Sequence, residues 1–117
     1  MARTLVIYYS RKGENYVNGS IKELSKGNTE ICVDYIKKAV EADTFELETQ
    51  KAYSTDYTQC TIEAKEELKN NARPELEKML DSVAEYDNIV VAGPCWWGTY
   101  PCAVFPQLEA LDFSGKR

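Results

Sequence analysis

Both tryptophans of the chain are adjacent, in the segment Gly93-Pro94-Cys95-Trp96-Trp97-Gly98-Thr99-Tyr100-Pro101. Neighbouring side chains that follow a strand cannot easily both face one core. At least one indole is therefore expected to line a cleft, where planar aromatic ligands stack on such rings. Burial of both indoles is the competing reading. A second unusual stretch, Ser10-Arg11-Lys12-Gly13-Glu14-Asn15, follows an apolar run, and Gly27-Asn28-Thr29 stands at the start of an amphipathic one. Small hydroxyl, amide and glycine residues at a helix start suit an anion, because backbone N–H groups and the positive end of the helix dipole do the binding. Taken alone, an ordinary helix cap provided by Asn28 or Thr29 explains the same residues. Neither a Walker motif nor GxGxxG occurs, so a triphosphate cradle and a dinucleotide fingerprint are both unsupported.

Other chemistries are excluded by what the chain lacks. It has no histidine, which removes Ser-His-Asp and Cys-His nucleophile systems and His-ligated metal sites. Ser10 as a nucleophile would have only Lys12 for help and is set aside. The cysteines at positions 32, 60, 95 and 102 form no CxxC, and none is followed by arginine six positions later. Free thiols are expected, and Cys95 beside Trp96 reads as a packed cysteine ahead of a redox-active one. Lys and Arg total 14 against 19 Asp and Glu, and the net charge of -5 is scattered, so no basic stripe exists for nucleic acid. The first apolar run, Leu5 to Tyr9, is too short for a signal-peptide core or a membrane span, and a soluble, cytoplasmic protein is expected.

The elements that must position these residues follow from the apolar pattern. Leu5 to Tyr9 and Ile89 to Ala92 are continuously apolar, as strands in the middle of a helix-covered parallel sheet are. Thr44-Phe45-Glu46-Leu47-Glu48 alternates and suits an edge strand. Between the first two lies a predicted helix over 29–41, with Val33, Ile36 and Val40 at helical spacing and Cys32 and Ala39 widening the stripe. A second helix is predicted over 57–70. A third is predicted to start at Pro74 and carry Leu76, Met79, Leu80 and Val83, and a short one covers 103–111, with Pro101 before it and Pro106 inside. The order predicts a single three-layer α/β domain with a parallel sheet over residues 1–117. Residues 12 to 26 are too long for a simple βα loop, and Asn18-Gly19 within them favours a two-residue hairpin turn.

With these residues in view, the chain resembles the flavodoxin-like FMN-binding family, specifically the bacterial group with a long inserted first loop. The resemblance is carried by YYSRKGENYVNG followed by GNTE, by DYTQCTIEAKEELKNNARPEL, and by GPCWWGTYPCAVFPQLEALDFSGK. It implies a 2-1-3-4-5 sheet with FMN at its carboxyl edge. Ser10, Arg11, Lys12, Asn28 and Thr29 would then hold the phosphate, and Pro94, Trp96, Trp97, Gly98 and Thr99 would frame the flavin, with Trp97 favoured as the stacking ring. The flavin would carry the redox chemistry, and the acidic balance would lower its potential. Family members continue past FSGK into a fourth and a fifth strand, so strand order 2-1-3 is expected here, in a C-terminally incomplete domain with an open third-strand edge that invites pairing with a second copy. The leading expectation is an FMN-binding protein of electron transfer, with a redox partner protein or a small-molecule acceptor. The alternatives are an NAD(P)H-dependent reductase of quinones or other small acceptors, and a flavin-free interaction subunit that pairs through the open sheet edge.

Overall fold

The computed structural model describes residues 3–117. Strand β1 (Thr4–Tyr8) is central. It pairs in parallel with β4 (Ala42–Glu46) on one side and β5 (Asn88–Ala92) on the other, so the parallel strands run in the expected order 2-1-3. The alternating segment is an edge strand, as predicted. Side chains of β1 point alternately to two faces. Val6 and Tyr8 meet Val33 and Ile36 of helix α1 (Asn28–Ala39). Leu5, Ile7 and Tyr9 meet Leu76, Val83, Tyr86, Ala103 and Val104 on the opposite face. The architecture is thus three-layered, with the sheet in the middle.

The long first loop folds into an antiparallel hairpin, β2 (Gly13–Val17) and β3 (Ser20–Leu24). Asn18 (φ 50°) and Gly19 (φ 84°) both adopt the left-handed conformation that a two-residue turn of this kind requires. Helix α2 (Tyr57–Lys69) begins at Asp56, whose carboxylate accepts from the Gln59 amide at 2.9 Å. Glu14 of the hairpin accepts from the Tyr57 amide at 2.7 Å, and the Tyr16 and Tyr57 rings stack 6.3 Å apart. The inserted hairpin is therefore docked on the start of α2 by a charge-assisted bond and an aromatic contact.

Three sequence expectations need correction. Helix α1 starts from Gly27, which offers no side-chain cap, so neither Asn28 nor Thr29 is the cap residue; the helix ends at Ala39, leaving Val40 48% exposed. Residues 70–87 contain no helix. Leu76 and Val83 are buried in the core at what reads as helical spacing, yet the backbone there finds partners elsewhere: Gln50 N–H donates to the Glu75 carbonyl at 2.9 Å and Glu77 N–H to that of Glu48 at 2.7 Å. Fully buried Gln107 accepts from the Leu80 amide at 2.6 Å and donates to the Leu80 carbonyl at 3.1 Å, replacing the bonds a helix would have supplied. Gln107 belongs to helix α3 (Phe105–Ala110), which follows a 3-10 turn at Cys102–Val104, so the predicted last helix is divided just before Pro106.

The outer edge of β5 is only partly open. Arg117 donates its amide to the Asp87 carbonyl at 3.1 Å and accepts from the Ile89 amide at 2.6 Å, which is the pattern of a parallel bridge. The Tyr100 hydroxyl donates to the Val91 carbonyl at 3.1 Å.

Replacing Gln107 by Leu leaves the Leu80 amide and carbonyl without partners while keeping the buried volume. We expect a loss of about 2 kcal/mol in stability, read from a denaturant midpoint, with faster proteolysis inside residues 70–87. An unchanged midpoint would mean that this side chain does not hold the segment.

Candidate functional site

In an open parallel sheet, ligands bind beyond the carboxyl ends of the strands. Here those ends carry residues 9–12 after β1 and residues 93–101 after β5. On the β1 side, the chain passes against the start of α1. The Ser10 hydroxyl accepts from the Glu30 amide at 3.1 Å. A Cβ on Gly27 would collide with that hydroxyl oxygen and stand 2.5 Å from the Arg11 carbonyl oxygen. Only glycine permits this approach. The Asn28 and Thr29 amides remain free of partners among the described residues, as the first amides of a helix are. Asn28 and Lys12 are exposed and Thr29 is half-buried. Ser10 thus meets the start of α1, where the free Asn28 and Thr29 amides form the kind of end that takes an anion, and Lys12 lines the same hollow as Ser10.

The Arg11 side chain is engaged by backbone carbonyls on either side of the site. Its Nε donates to the Glu14 carbonyl at 2.9 Å and an Nη to the Thr55 carbonyl at 3.2 Å. The guanidinium ties the hairpin to the segment before α2, and so holds the wall of the site in place. Sequence reasoning had no signal for this, since both acceptors are backbone groups.

The loop after β5 is a tight turn. Trp96 and Thr99 exchange backbone bonds of 2.8 and 3.4 Å around Trp97 (φ 56°) and Gly98 (φ 86°). A tryptophan at positive φ costs about 1 to 3 kcal/mol and persists only where its surroundings fix it. Here the Trp97 Nε1 donates to the Thr61 carbonyl at 2.9 Å, and the Lys65 ammonium lies 5.1 Å from the ring centroid. Trp97 stays 52% exposed. Trp96 turns the other way and packs edge-on against Tyr9 and Tyr53. Both indoles thus reach the cleft, Trp97 with an exposed ring and Trp96 from the core margin. Pro94 and Thr99 flank the turn, half-buried.

Arg11, Tyr57, Cys60, Cys95, Trp96 and Trp97 line one cavity of about 260 Å³. All four cysteines are free, and Cys60 is buried, which pushes its thiol pKa up against the opposing pull of Arg11. A broader hollow of about 1070 Å³ beside β4 contains Ser10, Lys12, Glu30, Glu46 and Glu48. Burial and the neighbouring Glu48 and Glu30 raise the Glu46 carboxyl, with Lys12 working against them. The anion site thus has an acidic margin. No group of side chains suited to a metal ion exists among the described residues, and no helix there is long and apolar enough to cross a membrane.

An open parallel sheet covered on both faces places the chain in the doubly wound class of α/β folds. The chain belongs to the flavodoxin family, whose model matches residues 20–117. Among solved structures it is similar to a protein of Bacteroides uniformis provisionally described as a flavoprotein, with 28% identity and a TM-score of 0.75 over 98% of this chain and 67% of that one. A flavoprotein of Lactobacillus acidophilus, crystallised in complex with FMN, shares 19% identity and a TM-score of 0.72 over 93% of this chain and 66% of that one. A third, from Bacteroides eggerthii and again provisionally described as a flavoprotein, gives 19% identity and a TM-score of 0.77, covering 99% and 67%. The chain thus spans about two thirds of the length of each. None of the curated proteins matches.

Changing Gly27 to Ala should cost about 1 to 3 kcal/mol of stability by forcing β1 and α1 apart, measured by chemical denaturation. Adding Ser10→Ala should not restore it, because the Arg11 backbone still blocks the new methyl. Full rescue by Ser10→Ala would show that the hydroxyl alone sets the contact.

Proposed function

We propose that this chain is an FMN-binding protein of electron transfer, acting in the cytoplasm with a redox partner protein or a small-molecule acceptor. The observation that carries the reading is the closure of Gly27 on Ser10 and Arg11, which leaves the Asn28 and Thr29 amides free among the described residues while Arg11 also lines the cleft walled by Trp97. An anion at one end and a flat aromatic wall at the other suit a phosphate joined to a planar ring. The residues present fit the group on their own chemistry. Membership of the flavodoxin family and the likeness to a structure holding FMN support the same reading.

Within it, Ser10, Lys12, Asn28 and Thr29 receive the phosphate through amides, hydroxyls and one ammonium, and Arg11 holds the wall through its two carbonyl contacts. Trp97 offers an exposed face for stacking, while Trp96, Pro94, Gly98 and Thr99 fix the turn that carries it. Bound FMN would supply the electron and hydride chemistry. The protein's part is to orient the ring, exclude water from one side, and set an acidic margin that disfavours added negative charge. A second copy pairing along the outer edge of β5 belongs to the proposal, at the Ile89 carbonyl and Val91 amide that Arg117 and Tyr100 leave free.

Titration with FMN, followed by quenching of its fluorescence, tests the reading. We expect FMN to bind more tightly than riboflavin, which lacks the phosphate, and Trp97→Ala to weaken binding by about 1 to 3 kcal/mol by analogy with base stacking. Absence of binding by the unaltered chain at high FMN would overturn it. Rapid reduction of the bound flavin by NADPH without any protein partner would instead favour a reductase.

A further inference from the structure

Strand β4 forms the other edge of the parallel sheet. The Leu47 amide donates inward to the Tyr8 carbonyl at 2.7 Å, whereas the Glu48 carbonyl faces outward and accepts from the Glu77 amide at 2.7 Å. Backbone groups of successive residues alternate between the two sides of a strand, so Thr44 and Glu46 also turn their amides and carbonyls outward. Among the described residues no hydrogen bond reaches those groups. Just beyond them the edge is already extended: residues 75–77 run antiparallel to residues 48–50 through the bridge of Thr49 with Leu76.

Side chains divide between the two faces of the sheet. Ala42 packs on the α1 side, so Thr44, Glu46 and Glu48 stand on that side, while Phe45 packs against the opposite core. A hollow of about 230 Å³ follows the open edge, lined by Thr44, Phe45, Glu46, Glu48, Glu77 and Lys78, and it adjoins the broader one that contains Ser10. Its carboxylates outnumber its single ammonium. Burial, Glu48 and Glu30 raise the Glu46 carboxyl against the pull of Lys12, so a further cation beside Glu46 is favoured. A second copy of this edge would instead set the same carboxylates against one another.

We propose that the outer edge of β4 docks an extended segment of a partner protein, added antiparallel to Thr44 and Glu46, in which basic and apolar residues alternate. In such a pair, directly opposed residues share a face of the sheet. Side chains opposite Thr44 and Glu46 therefore meet the acidic α1 side and are basic, and those between them lie over Phe45 and are apolar. The basic residues also carry the amides and carbonyls that bond to Thr44 and Glu46. This docking does not depend on bound flavin.

The probe is a fluorescein-labelled peptide, Val-Lys-Val-Lys-Val-amide, followed by fluorescence anisotropy. We expect saturable binding that added salt weakens. Methylating both lysine amides removes the N–H groups that face β4 and should weaken binding by about tenfold. Methylating the valine amides, which face away, should leave it intact. The peptide Val-Glu-Val-Glu-Val-amide should bind only to the double variant Glu46→Lys with Glu48→Lys. Thr44→Pro deletes one outward amide without touching the pairing with β1 and should also weaken binding. Far-ultraviolet circular dichroism on each variant separates a lost edge from a lost fold. Undiminished binding of the lysine-methylated peptide, equal binding of the glutamate peptide by the unaltered chain, or full binding by a folded Thr44→Pro would each overturn the proposal. So would a dimer that Thr44→Pro dissolves, since the edge would then belong to a second copy.

Discussion

The close contact of Gly27 with Ser10 and Arg11 governs the geometry of this molecule. The inserted hairpin leaves the sheet at Arg11 and returns at Gly27, so that contact is the neck of the excursion. Without it, β1 and α1 would be separated by a long flexible loop, and the helix start would not face the strand end. Closing the neck costs the conformational freedom of the loop. The Ser10 to Glu30 bond, the Arg11 bonds to Glu14 and Thr55, and the Glu14 bond to the start of α2 offset that cost at successive points along the excursion. What reads in the sequence as an interruption is in space a brace between α1 and α2.

Much of the fold was legible because the strands are short and their patterns pure. Continuous apolar runs mark β1 and β5, alternation marks β4, and Asn18-Gly19 marks the hairpin turn, since few residues accept that backbone. Residues 70–87 misled for a physical reason. Their apolar side chains keep a helical rhythm, but rhythm reports only which residues are buried, and the backbone bonds there are satisfied by Gln107 and by residues 48–50 across a distance no local pattern encodes. The cap of α1 misled in the same way. A polar residue at a helix start suggests self-capping, and here the hydroxyl comes from Ser10, far back along the chain.

The site was legible in outline and not in its division of labour. Two adjacent tryptophans announce an unusual loop, but which one is exposed depends on the left-handed backbone of Trp97 and on the Thr61 carbonyl that receives its indole N–H. The anchor lies on α2, whose own sequence shows nothing but an amphipathic helix.

The central position of β1 has a consequence for how the chain acquires its structure. Its partnership with β4 joins residues in one βαβ unit, while the pairing of Thr4 with Asn88 spans 84 positions. Closing so long a loop before any reward is gained is slow. During synthesis β1, the hairpin, α1 and β4 are all complete well before β5 emerges. In that interval the apolar flank of β1 has no neighbour on one side, and Leu5, Ile7 and Tyr9 lack the segment that later covers them. The emerging chain therefore passes through a stage in which an apolar strand has one edge and one face uncovered. The late arrival of residues 70–92 covers that face and pairs that edge, leaving the outer edge of β5 partly open in its turn.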